Sequence, residues 1–269
     1  MVDLRAARQA AAKTGIGLQY VMKEARVFDI WTKICPVILS KEISSSAIIL
    51  CKGGTPLNKI YLGKVQRFSE DIDMDIFFKN DVEREDKIDF IKTNIIQTLN
   101  GSYTIPKEAR RKNIIMFMCY FQNEQENRDN IKLEFNIGES LTGSNEIASA
   151  KSEILPLHVD KVPVYSFNTL IAKKLKAFHE RTEGKDVYDI YRSLLSHDDV
   201  NKIIPILKDT LAAAHIDYDE FCEQFPQKLS DTRLMKSLHR SANSYIPRNL
   251  RIDFISAAKD ISNKIVPHL

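Results

Sequence analysis

Cysteine is scarce and scattered in this chain of 269 residues: Cys35, Cys51, Cys119 and Cys222 form no C-x-x-C pair, and no histidine stands at ligand spacing from them. That pattern argues against a zinc site or a disulfide framework and predicts a reduced, cytoplasmic protein. Long apolar runs are missing as well, since none approaches the ~18 residues of a membrane span. The segment Met1–Lys13 is charged and alanine-rich, with no apolar stretch ahead of a cleavage site, so a secretory leader is not expected. Internal repeats and low-complexity tracts are absent too. The net charge of +3 is too small to imply a nucleic-acid partner by itself.

What remains is ordinary globular composition, 43% apolar and 28% charged, enough for a sizeable core. Positive charge is uneven, with one cluster at Lys107, Arg110, Arg111 and Lys112. A second runs through Lys228, Arg233, Lys236, His239, Arg240, Arg248 and Arg251. The first ~35 residues read as helical, with Tyr20, Val21, Val27, Phe28, Ile30, Trp31 and Ile34 as apolar surface. Pro36 and the serines at 44–46 predict a loop before a buried strand at Ala47–Cys51. Two alternating segments follow, Asp71–Phe78 and Ile131–Ile137, with a helix expected near Asp86–Leu99 and a basic, then apolar, segment at Lys107–Phe121. From Ser166 onward the period is helical, with breaks expected at Gly184, Pro205, Pro226 and Pro247. An α/β half over 1–160 and a helical half over 161–269 is the simplest division, with the boundary near Pro156–Pro163.

Two stretches carry chemistry. In Cys51-Lys52-Gly53-Gly54-Thr55-Pro56-Leu57-Asn58-Lys59, a strand ends in two glycines and a helix begins, with Thr55 suited to the cap, Pro56 to the first turn and Gly63 to the stop. Glycines there let backbone N–H groups approach an anion, and Lys59 adds a formal charge, so a triphosphate suits the turn. A Gly-Gly pair before a helix is also a common tight turn, and the G-K-[S/T] ending of a Walker A loop is missing. The second stretch, Arg67-Phe68-Ser69-Glu70-Asp71-Ile72-Asp73-Met74-Asp75, puts Asp71, Asp73 and Asp75 on one strand face. Three acids there repel one another unless water or a cation intervenes. An exposed edge strand with a polar face gives the same pattern. In the second alternating segment Glu134 shares a face with Lys132 and Asn136, which makes it a candidate third ligand for divalent ions, although a solvent-facing glutamate is commonplace.

Gly-Gly-Thr with a nearby lysine, and Arg-Phe-Ser-Glu-Asp-Ile-Asp, resemble the motifs of the AbiEii/AbiGii toxin family, which includes MenT-type toxins and belongs to the polymerase β-like nucleotidyltransferases. The resemblance extends to Leu170–Ala177 and to Arg181-Thr182-Glu183-Gly184-Lys185-Asp186-Val187-Tyr188-Asp189, and so covers roughly Lys52–Tyr191. It implies a mixed-sheet catalytic domain followed by a helical domain that closes the cleft. It also implies metal ligands at Asp71, Asp73 and Glu134, catalytic Lys174 and Asp186, and nucleotide binding by Gly53, Gly54, Thr55, Lys59, Arg67, Ser69, Lys174 and Arg181. Pro56, Asn58 and Asp75 depart from the usual pattern, and Asp75 has no role that the resemblance supplies.

The implied activity is transfer of a nucleoside monophosphate from a nucleoside triphosphate, with Mg²⁺ or Mn²⁺, to the 3′ end of tRNA. The chain would then be the toxin of a type IV toxin–antitoxin or phage-defence pair, blocking translation and neutralised by an antitoxin encoded nearby, with Lys228–Arg251 gripping the acceptor stem. Transfer to a protein or small molecule, and a nucleotide-binding module without turnover, are the alternatives. A phosphate on Ser69 would add about −2 charge beside the carboxylates and compete with metal or triphosphate. A turn hydroxyl bonded to backbone accounts for Ser69 equally well.

Overall fold

The computed structural model describes residues 3–106, 108–123, 126–138, 140–196 and 199–269. Helix α1 (Leu4–Thr14) is capped by the Asp3 side chain and stops at Gly15 in the left-handed region. Helix α2 (Leu18–Ile38) buries Val27, Phe28, Ile30, Trp31 and Ile34. The loop expected from Pro36 to the serines is helical instead. Pro36 sits in the last turn of α2, where it forfeits only its own N–H bond, and Ser40 caps a further helix, α3 (Lys41–Ser46).

Strand β1 (Ala47–Lys52) leads into one turn, α4 (Gly54–Pro56), which continues as a π-helical stretch over Leu57–Tyr61. Next come β2 (Asp71–Phe78), α5 (Arg84–Asn94), β3 (Glu108–Arg111), β4 (Ile114–Gln122), β5 (Arg128–Asn136), β6 (Asn145–Lys151) and β7 (His158–Tyr165). The seven strands form one mixed sheet in the order β3-β4-β5-β2-β1-β7-β6. Strand β2 pairs antiparallel with β1 and parallel with β5, in a register that sets Asp71 opposite Lys132 and Asp73 opposite Glu134.

The hairpin β6–β7 occupies the region read from sequence as a domain boundary. Pro163 lies within β7, opposite Ile147, so the sheet continues to Tyr165. Strand β6 carries one large apolar residue, Ile147, and that residue is 60% exposed, which leaves no alternation to detect.

Alternation in β2 and β5 decides the rest. Ile72, Met74 and Ile76 join Leu133 and Phe135 in a core covered by α2 and by Ile88 and Ile91 of α5. The polar residues of both strands therefore occupy the opposite face.

After β7 every element is helical: α6 (Phe167–Arg181), α7 (Gly184–Ser196), α8 (Ile203–Ala213), α9 (Tyr218–Ser230), α10 (Thr232–Ala242) and α11 (Phe254–Ile265). They enclose a second core that includes Ile171, Leu175, Phe178, Phe221 and Phe225. Helix α6 joins the two cores, since Leu170 belongs to the first and Ile171 to the second. Of the expected breaks, Pro247 falls between helices and Gly184 opens α7. Pro205 lies in the first turn of α8, where N–H groups are unpaired anyway, and Pro226 lies inside α9 between the buried Phe225 and Leu229. Among the described residues no helix is long and apolar enough to cross a membrane.

Candidate active site

The carboxylate face of the sheet, the Gly-Gly turn and the helix pair α6–α7 enclose two adjoining clefts. One of about 320 Å³ is lined by Lys52, Gly53, Asp73, Ile114, Glu134, Lys173 and Arg181 among others. The other, about 260 Å³, is lined by Gly54, Arg67, Asp71, Asp73, Lys132, Glu134, Lys174, Arg181, Glu183 and Lys185. Asp73, Glu134, Lys174 and Arg181 border both, so they sit where the two clefts meet.

Gly53 packs directly on the carboxylates. Its φ of 81° excludes most side chains, and a Cβ there would stand 2.9 Å from Asp73 Oδ2. A Cβ on Gly54 would collide with the Arg67 guanidinium. The pair of glycines thus meets a steric demand at both positions. Thr55, expected as the cap, lies inside the turn, where its hydroxyl donates to the Asp71 carbonyl oxygen at 2.8 Å and ties the turn to β2.

Asp73 is the electrostatically exposed point of the site. Burial, and then the neighbouring Asp71 carboxylate, push its pKa up to about 7 against the opposing pull of Lys132. Its Oδ1 is buried and has no hydrogen-bond partner among the described residues; the Lys132 ammonium stands 4.0 Å away. A buried anionic oxygen without a donor is a costly arrangement in a folded protein, and a bound cation relieves it. The hard oxygen donors of Asp71, Asp73 and Glu134 suit Mg²⁺ or Mn²⁺. Among the described residues, however, no three acidic side chains converge closely enough to form a ready cage.

Facing the carboxylates is a buried charge network. Arg67 donates from Nε and Nη2 to the two oxygens of Asp189 at 2.9 and 2.8 Å. Lys174 reaches Asp186 at 2.6 Å and Asp189 at 2.9 Å, and Arg181 bonds both oxygens of Asp186. Burial would raise the pKa of Asp186, but Lys174 and Arg181 outweigh it and hold the group well below the usual carboxylate range. Burial likewise opposes ionisation of Asp189, where Arg67 and Lys174 win. For Lys174 burial favours the neutral amine, and Asp186 and Asp189 reverse that. Glu183 stands 3.8 Å from Arg181 Nε, so three cations meet three carboxylates beside the acids of the sheet.

The structure brings Gly53, Gly54, Arg67, Asp71, Asp73, Glu134, Lys174 and Arg181 around the clefts. Thr55, Lys59, Ser69 and Asp186 line neither. Lys59 in particular is turned inward: its ammonium bonds Glu24 at 2.6 Å, Gln66 at 3.1 Å and the Arg67 carbonyl at 2.8 Å. Burial lowers its pKa despite Glu24. A phosphate contact from Lys59 is therefore corrected to a structural ion pair with α2. Ser69 is 2% exposed, so neither a nucleotide nor a kinase meets its hydroxyl in this conformation.

Several residues outside the predicted set belong to the site. Asp189 is the hub of the network, three residues after Asp186 and so on the same side of α7. Asn58 donates to Asp189 and to the Gly54 carbonyl and accepts from the Arg67 N–H, all at 2.8 Å. Asp75, fully buried, accepts from the Tyr165 hydroxyl at 2.7 Å and from Lys173 at 3.1 Å, and pairs with Lys52. It fastens β2 to α6 and anchors two lysines at the cleft wall. Of the basic clusters, Lys107 lies outside the described residues, and Arg110 is matched by Glu85 and Glu108. Arg233, Lys236, Arg240, Arg248 and Arg251 are exposed, whereas Lys228 is occupied with the His179 carbonyl.

No curated protein sequence matches this chain. Among solved structures it is similar to MenT4, a nucleotidyltransferase toxin of Mycobacterium tuberculosis H37Rv. The two share 14% identity at a TM-score of 0.61, over 98% of this chain and 90% of that one, a likeness of fold. An antigenic nucleotidyltransferase-like protein of Paracoccidioides brasiliensis aligns at 15% identity and a TM-score of 0.38, over 68% of this chain and 88% of its own. The profile of the nucleotidyl transferase AbiEii toxin of type IV toxin–antitoxin systems matches residues 44–259. With the match running from α3 into α11, the chain belongs to the AbiEii nucleotidyltransferase toxin family.

Proposed function

We propose that this toxin is a cytoplasmic, Mg²⁺-dependent enzyme that transfers a nucleoside monophosphate from a nucleoside triphosphate to the 3′ end of tRNA and so blocks translation. The single observation that supports this most is the in-register placement of Asp71, Asp73 and Glu134 on one sheet face, against Gly53 and below Lys174 and Arg181. Acids that would hold metal and cations that would hold phosphate border one space.

Asp71 and Asp73 would hold Mg²⁺ or Mn²⁺, with Glu134 on the acceptor side. The ion, when bound, neutralises phosphate charge and favours ionisation of the attacking hydroxyl. Lys174 and Arg181, each already oriented by Asp186, bind phosphate oxygens across the cleft, and Gly53 and Gly54 leave room for a phosphate to approach the backbone. The apolar surface of Ile114, Leu170 and Ala177 in the larger cleft accommodates the nucleoside, while the second cleft, almost wholly polar, suits phosphates. In the transfer, the hydroxyl oxygen bonds the α-phosphorus, the α–β phosphoanhydride bond breaks, and pyrophosphate leaves.

The two halves, 1–160 and 161–269, would act as floor and lid of the site. The helical half is joined to the segment before β2, where the Phe68 N–H bonds the Tyr245 carbonyl and the Tyr245 hydroxyl bonds Glu70. Tyr245 also lies under Lys185 of the second cleft, and the exposed basic residues of the preceding α10 would grip acceptor-stem phosphates. The antitoxin of such a pair is the expected protein partner.

The test is incubation of the full chain with each of the four labelled triphosphates, Mg²⁺ and either total RNA or cell protein. Label should enter tRNA, and Asp71→Asn should abolish it while melting no earlier than the wild type. Label appearing in protein instead would replace the acceptor; label surviving in the variant would remove the catalytic role of Asp71.

A further inference from the structure

The acidic face of the sheet carries two lysines beside Asp73: Lys52 of β1, which pairs with Asp75, and Lys132 of β5, which pairs with Glu134. Lys132 on β5 is the cross-strand partner of Asp71, as Glu134 is of Asp73, so the four side chains form a square on one face. Within that square three carboxylates face one ammonium, and Lys52, the next cation on the face, is committed to Asp75. The Lys132 ammonium stands 3.1 Å from Glu134 Oε2 and 4.0 Å from Asp73 Oδ1. It lies between the two acids across which a metal would be shared. The neighbouring cations are engaged elsewhere, Arg67 with Asp189, Lys174 with Asp186 and Asp189, and Arg181 with Asp186.

We propose that Lys132 is a tethered counter-ion that occupies the cation position between Asp73 and Glu134, and that Glu134 becomes a metal ligand only when Lys132 swings out. This rests on the reading of Asp71 and Asp73 as metal ligands. Two features of the square support it. Lys132 bonds Glu134 but stops short of hydrogen-bonding distance to Asp73, whose Oδ1 stays without a donor. The lysine balances charge there without completing the coordination that the oxygen needs. Its side chain is 36% exposed, against 19% for Glu134 and 21% for Asp73, so the unbranched stem has solvent to move into while the carboxylates stay in place.

The inference assigns Lys132 two effects. Without metal it relieves repulsion between Asp71, Asp73 and Glu134, which face one another across adjacent strands. When metal arrives it competes for the same oxygens, so it weakens binding and makes the third ligand conditional. Lys132 is thus a positioning residue for Glu134 and touches no reacting atom.

Mn²⁺ titration followed by the electron paramagnetic resonance of the free ion tests this without turnover. The full chain is compared as wild type, Lys132→Met, Glu134→Gln and the double variant, with Lys185→Met as a control for a lysine on the same cleft. Lys132→Met should tighten Mn²⁺ binding about tenfold, the order expected when a third carboxylate is freed to join the coordination. In the Glu134→Gln background the same change should gain at most about twofold, because the lysine then has no third ligand to withhold. Lys132→Gln repeats the measurement if the Met variant does not fold. Equal gains in both backgrounds, a matching gain for Lys185→Met, or no gain at all would overturn the proposal and leave the metal-dependent reading standing. A folded wild type that binds no Mn²⁺ would overturn both.

Discussion

Two lysines of this chain, Lys59 and Lys174, are buried ammonium groups, and their partners separate their work. Lys59 is enclosed with Glu24 and lines neither cleft, whereas Lys174 borders both clefts and is held by two acids of α7. Removing one member of a buried pair strands the other. Lys59→Met should therefore destabilise the protein by about 3–5 kcal/mol in chemical denaturation, and adding Glu24→Gln should recover part of it. Nucleotide affinity of the folded variant should stay unchanged; a large loss of affinity with stability intact would return Lys59 to the phosphate site. The sequence could not separate the two lysines. Glu24 lies on α2, and no local spacing relates it to Lys59. Asp75 was equally opaque, because its partners come from β1, β7 and α6 and meet only in the fold. The placement of Asp71 and Asp73 on one strand face was legible because strand alternation is local.

At the level of elements, α7 sets the network by its approach to α10. Gly184 opens α7 against the Leu238 carbonyl, which a Cβ would overlap, and backbone cannot step aside as a side chain can. Gly184→Ala should push the first turn of α7 outward and loosen Asp186 from Lys174. A loss of about 2–3 kcal/mol, or roughly 5–10 °C in melting temperature, with activity falling alongside, is the expected result in thermal denaturation and transfer assays. An unchanged melt would mean that α7 is seated by other contacts. Glycine at this position read as a helix break in the sequence, which gave the right boundary for a different reason. Strands β2 and β5 were legible from their alternation, but β6 and β7 were not. Strand β6 exposes its one large apolar side chain, and β7 contains a proline that local propensity counts against a strand.

On the scale of the whole molecule, two cores are joined by charge as well as by α6. Arg67 precedes the sheet's acidic strand and Asp189 belongs to the helical half, and each is buried with the other as its partner. The pH dependence follows from the depressed carboxylates. Asp186 and Asp189 stay ionised in the folded protein at pH values where the unfolded chain binds protons, so their contribution is complete above the ordinary carboxylate pKa of ~4. It is lost as pH falls below that and toward the folded values. Melting temperatures taken from pH 7 down to 2 should drop steeply below about pH 4, and less steeply in Lys174→Met/Asp186→Asn. Superimposable profiles would show that this junction adds nothing to acid stability. The division into an α/β part and a helical part was readable from the change of period near Ser166; the buried pairs that weld the parts together were not, since they link residues distant along the chain.

The seating of α7 by α10 and α11 also orders events in time. A ribosome making this chain releases the acids of the sheet first, and the helices that hold Asp186 and Asp189 in place only later. Until then the cleft has its floor without its cationic wall. Catalysis by this site would therefore wait on the helices that complete it.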